Sequence, residues 1–110
     1  MPNLKIYIDE IHYPQLRDGL AAALDDLRAI LCARLEVTPE ACQLAVLPVM
    51  AIPGQPELNA ELHLMPRPTR TRERLQEVGT AIRDRLGAAS GFGVAVRIAQ
   101  LDPGTYLALK

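Results

Sequence analysis

One pattern, met twice, most constrains what this 110-residue chain can fold into. Leu4, Ile6 and Ile8 alternate with Lys5 and Tyr7, as a strand with one buried face requires. After "DEIHYPQ", the residues Leu16, Leu20, Leu24, Leu27, Leu31 and Leu35 recur at helical spacing. This predicts a helix over most of residues 14–35, with Pro14 in the first turn, where its missing N–H has no partner to lose. A "VTPEA" turn leads into "CQLAVLPV", read as a strand covered on both faces, with Pro48 placing its last residues at an edge or bulge. The Pro- and Gly-rich stretch "MAIPGQPE" then divides the chain. Beyond it Leu58, Ala60, Leu62 and Leu64 alternate with Asn59, Glu61, His63 and Met65. A second helix starts at a cap near Thr69 or Thr71, presents Leu75, Val78, Ile82 and Leu86, and stops at Gly87. Val94, Val96 and Ile98 mark a fourth strand, and "LDPGT" turns into a short terminal strand, "YLAL".

The order is βαβ followed by βαβ, a duplication of pattern rather than of identity, with pseudo-repeats at about 2–50 and 57–110 within a single domain. Right-handed crossovers put both helices on one face of a four-stranded mixed sheet, an α+β fold. The opposite face, carrying Tyr7, His63, Met65 and aliphatic residues, is then a mixed apolar patch that symmetric association would cover, with the terminal strand extending a neighbour's sheet.

Composition narrows the function. Hydrophobic residues make up 49% of the chain and aromatic residues 4%, so the core is aliphatic and base-stacking platforms are lacking. Twelve Lys and Arg against 13 Asp and Glu leave a net charge of −1, with no global attraction for nucleic acid or an anionic membrane. No apolar run reaches membrane-spanning length, and Asp9 and Glu10 lie where a secretory signal would be apolar, so a cytoplasmic protein is expected. Cys32 and Cys42 lack metal-binding spacing and read as buried free thiols, with a disulfide as the lesser alternative; His12 and His63 form no ligand pair, so no metal is expected. Neither a phosphate-binding glycine loop nor a nucleophilic serine elbow is present.

Two features carry chemistry. The junction "RPTRTRER" gathers Arg67, Arg70, Arg72 and Arg74 at a helix start, where the helix dipole favours anions and arginine can grip a carboxylate with two parallel bonds. Read blandly, it is a solvated charge run partly neutralised by Glu73 and Glu77. The second is Pro2. If Met1 is removed, as a small second residue favours, Pro2 presents a secondary amine with a starting pKa of about 8. Burial and nearby arginines would lower it toward the range of a general base, suited to moving a proton next to a carbonyl without a cofactor.

The strand start "PNLKIYID", the segment "LEVTPEACQLAVLPV", the junction "LHLMPRPTRTRERL" and the duplicated layout together resemble the tautomerase superfamily over nearly the whole chain, and within it the fused 5-carboxymethyl-2-hydroxymuconate isomerase type. That resemblance implies a keto-enol tautomerase or isomerase acting on a small carboxylated substrate, trimeric and cofactor-free. It implies Pro2 as catalytic base and acid, Arg70 and Arg72 as substrate-binding arginines, Tyr106 as a contact from near the C-terminus, and His12 as a further basic contact. Members that dehalogenate haloacrylates use an acid near the C-terminus, and "GTYLALK" offers none after Asp102. The alternative is a noncatalytic ferredoxin-like domain that binds a small anion or a protein partner. The same order of elements serves both.

Overall fold

The computed structural model describes Met1–Lys110. Four strands, β1 (Asn3–Asp9), β2 (Gln43–Val49), β3 (Leu58–Leu64) and β4 (Val94–Gln100), form one sheet in the order β2-β1-β3-β4. Each outer strand is parallel to its inner neighbour, and the inner pair β1 and β3 is antiparallel. This is the mixed sheet that two βαβ units give when they meet back to back. Helices α1 (Tyr13–Leu35) and α2 (Arg72–Ser90) supply the two crossovers.

The core is the aliphatic layer between sheet and helices. Leu4, Ile6 and Ile8 of β1 and Leu58, Ala60, Leu62 and Leu64 of β3 are fully buried, facing Leu20, Leu27, Leu31 and Leu35 of α1 and Val78, Ile82 and Leu86 of α2. Burying each large aliphatic side chain contributes about 1.5–3 kcal/mol, so this layer dominates the stability. The helices pack on each other with Gly19 close to the carbonyl of Ala89, and Arg85 Nε donates to Asp26 Oδ2 at 2.8 Å. No helix is long and apolar enough to cross a membrane.

Three sequence expectations need correction. Helix α2 does not stop at Gly87: it runs one turn further to Ser90 and ends at Gly91, whose φ of 74° is the left-handed conformation that glycine tolerates. Gly87 needs no positive φ, so nothing ends the helix there. Strand β2 is not covered on both faces but forms a sheet edge, its residues half-buried or exposed, and Pro48 needs no ladder partner on the open side. Finally, "YLAL" forms no strand within the chain. Asp102 closes a turn by accepting the N–H groups of Gly104 on its side chain and of Thr105 and Tyr106 on its carbonyl. This leads the tail away from the β4 edge, leaving Leu107 and Leu109 exposed.

The sheet face away from the helices carries Asn3, Lys5 and Tyr7 of β1 beside Asn59, Glu61 and His63 of β3. Lys5, Glu61 and Arg97 lie in register across three strands, so opposite charges sit side by side with Ala45, Leu47, Ala95 and Ala99 toward the edges. The face is therefore more polar than the sequence pattern alone implies. Because the central layer is closely filled, Leu62→Ala is expected to lower stability by about 2–5 kcal/mol in urea unfolding, with the slope of the transition unchanged.

Candidate active site at the start of strand β1

The antiparallel pairing of β1 with β3 sets Asn3 opposite His63, so the start of β1 lies beside the end of β3. The loop that leaves β3 for α2, carrying the arginines, thus emerges next to Pro2. On the other side Pro2, itself buried, accepts a hydrogen bond on its carbonyl from Gln43 N–H at 2.9 Å. The tail arrives from a third direction: Leu101 N–H donates to the Leu64 carbonyl, and at the far end Lys110 Nζ touches Met1 Sδ. It therefore crosses the end of the sheet from β4 toward β1.

The loop geometry follows from its residues. In "RPTR", Pro68 presets the second position of a turn that Arg70 N–H closes on the Arg67 carbonyl at 2.9 Å. Thr71 then caps α2, its hydroxyl accepting from Arg74 N–H at 3.2 Å. The turn brings Arg67 and Arg70 together and sends the Arg70 side chain inward, where only 3% of it remains exposed. Its Nη1 donates to the Met65 carbonyl at 2.5 Å, while Nε and Nη2 are buried without any partner. Unmet buried donors cost about 1–3 kcal/mol, more when charged. Burial, and then the charge of Arg67, hold the guanidinium below its ordinary pKa. A cation placed so is a ready receptor for an anion.

The terminal amine at Met1 experiences the same field. Desolvation first, then the charges of Arg70, Arg67 and Lys110, hold it below its ordinary value, with Cys42 acting weakly in the opposite sense. Pro2, the next residue, is buried. No group of three or more His, Cys, Asp or Glu side chains is placed to hold a metal ion.

The other expected residues fall elsewhere. Arg72 is exposed on the first turn of α2, lining an open groove between α2 and β4 with Gln76, Arg83, Arg97 and Gln100. That groove contains neither Pro2 nor Arg70. Arg74 ties the helices together, Nη1 donating to the Arg34 carbonyl at 2.8 Å. His12 lies past the other end of β1, its ring stacked on Phe92 with centroids 4.5 Å apart, so one chain does not bring it to Pro2. Tyr106 is on the tail, 47% exposed. Arg67 belongs to the arginine cluster read from the sequence but not to the pair the family resemblance implies, and Lys110 is a cation that the sequence does not single out. The "RPTR" turn was a usable signal for Arg67, whereas nothing in the sequence reveals the course of the tail.

No protein-family model matches the chain, and no curated protein sequence is similar to it. Solved structures are. A Vibrio cholerae protein of unknown function superposes with a TM-score of 0.72 at 18% identity, over 97% of this chain and 83% of that one. A member of the cis-3-chloroacrylic acid dehalogenase family gives 0.71 at 16%, over 96% and 79%. A wild-type fused 4-OT, solved as an asymmetric trimer, gives 0.75 at 11%, over 96% and 91%. The present chain shares the fold of all three, a four-stranded mixed sheet with two helices.

If Arg70 is held for an anion and not for the fold, Arg70→Met should leave stability unchanged or raise it, by on the order of 1 kcal/mol, because an unpaired buried charge is removed. Thermal unfolding measures this; a loss of several kcal/mol would show instead that the guanidinium is a structural tie.

Proposed function

We propose that this chain is a cofactor-independent tautomerase of the tautomerase superfamily, interconverting enol and keto forms of a small carboxylated substrate. The observation that carries the reading is the buried, unpartnered guanidinium edge of Arg70, in a cluster of cations beside the chain's first amine. The structural likeness supports the fold on which such chemistry is carried out, and the sequence resemblance supplies the direction: a 2-hydroxymuconate or phenylenolpyruvate type of acid, as in the 5-carboxymethyl-2-hydroxymuconate isomerase group.

In this mechanism Met1 is removed. With Met1 in place the Pro2 nitrogen is an amide and has no basic lone pair. Once free, the secondary amine takes a proton from one end of the conjugated substrate and its ammonium returns that proton to carbon at the other. Arg70, with Arg67 beside it, holds the substrate carboxylate and draws off the negative charge that develops on the enolate oxygen. Lys110 reaches Met1 on the tail, and Tyr106, four residues before it, is proposed as a substrate contact from the same segment. Arg72 could serve only a substrate that extends toward α2, and His12 reaches a Pro2 site only from a neighbouring copy. A homotrimer joined through the open sheet faces would supply such a neighbour. Dehalogenation is not proposed, because the tail side chain that reaches Met1 is the cation of Lys110.

Three measurements test the reading. Pro2→Ala, or an added residue ahead of Pro2, should lower kcat/KM for a hydroxymuconate-type enol by about 100-fold or more, and undiminished turnover would sink the mechanism. Arg70→Ala should weaken use of carboxylated substrates at least about tenfold more than uncharged ones; equal losses would remove its carboxylate role. Only the neutral amine is a base, and if the burial and cations that lower the Met1 amine act likewise on a freed Pro2, activity should rise with pH along an acid limb whose midpoint lies below about 8. The limb should move upward in Arg70→Ala.

A further inference from the structure

Cys32, in the last full turn of α1, and Cys42, one residue before β2, have their sulfurs 3.9 Å apart. Both are free and half-buried. The segment between them is tightly folded. Glu36 ends α1 in the left-handed conformation, its N–H and that of Val37 both directed to the Cys32 carbonyl. Pro39–Ala41 form a single 3-10 turn that Cys42 N–H closes on the Pro39 carbonyl at 3.1 Å, and Cys42 Sγ rests 3.7 Å from the Thr38 carbonyl. This turn holds the thiols face to face. A disulfide needs a sulfur separation of about 2.0 Å, so each sulfur has to move only by about 1 Å, within reach of small side-chain rotations. The residue after Cys42 is Gln43, whose N–H holds the Pro2 carbonyl at 2.9 Å.

We infer that Cys32 and Cys42 are a reversible dithiol–disulfide pair, oxidised by exchange with a low-molecular-weight disulfide, and that the bond stiffens the α1–β2 turn from which Pro2 is held. In the exchange one cysteine thiolate attacks the small disulfide and expels one small thiol, leaving a mixed disulfide. The second cysteine attacks the protein sulfur of that bond and expels the other small thiol. Two protein S–H bonds thus give one S–S bond, and their protons pass to the two released thiols. The protein is oxidised by two electrons and the small disulfide is reduced by two. Burial, then the hydrogen bond with Cys32, push the Cys42 thiol up to about 11, so attack by Cys42 is favoured in alkaline buffer. The bond itself follows from geometry and does not depend on the proposed function; the significance of stiffening Pro2 does, so the test reads neither through turnover.

The full-length chain is equilibrated in glutathione buffers of stepped redox ratio, alkylated, and examined as intact protein and as peptides. Oxidation should remove two hydrogens, link the peptides carrying Cys32 and Cys42, and reverse with dithiothreitol. It should raise Tm by about 10 °C and slow exchange of the Gln43 amide about tenfold or more. Cys32→Ser should show neither effect, forming at most a glutathione adduct on Cys42. Glutathione adducts alone, intermolecular dimers, or two fully alkylated thiols in the oxidising buffer would overturn the pair. An intramolecular disulfide without slower Gln43 exchange would overturn its link to Pro2.

Discussion

The antiparallel register between β1 and β3 is the contact on which the rest of the molecule depends. It joins two βαβ units into one sheet, buries the residues at the centre of the core, and decides which loops meet. Because the strands run in opposite directions, the start of the first unit meets the exit loop of the second. A chain with the same elements but with its inner strands parallel would separate Pro2 from the arginines by the length of the sheet.

Within that frame the Arg70 side chain is the departure from what folding alone would select. Arg70 is the one charged residue buried in the chain, and its guanidinium, tied to the Met65 carbonyl after β3, leaves two donors unmet. Arginines that only solubilise a helix start extend into water, as Arg72 does a few atoms further along the chain. A terminal amine held low by these same charges and by burial is the complementary half of the arrangement. One group is poised for a negative charge, and the other is kept from holding a positive one.

Most of the fold could be read from the sequence because it rests on strong periodicities: the leucine stripe of α1, the alternation in β1 and β3, and the Thr71 cap all act locally. The misreadings arose where local signals compete. Gly87 looks like a helix stop until the true left-handed residue, Gly91, is seen. "YLAL" has the composition of a strand but no intrachain edge that the Asp102 turn lets it reach. For the site, the sequence could indicate an arginine-rich helix start and a proline amine, yet it could not sort the four arginines. Their directions depend on the Arg67–Arg70 turn and on the packing of α1 against α2, which takes Arg74 for Arg34. His12 follows β1 and so had to emerge at the far end, a consequence of strand direction that spacing does not display.

The crossing of the tail over the sheet end bears on how the molecule can be handled. Lys110 touches Met1, whose amine feels Arg70 and Arg67, so a purification tag, a surface tether or a fluorophore at either residue loads the region of interest. The linker between the two units leaves β2 and enters β3 at the opposite end of seven-residue strands, roughly 20 Å away. Met50 and Ile52 there are exposed and Gly54 already adopts a glycine turn, making this linker the neutral point of attachment.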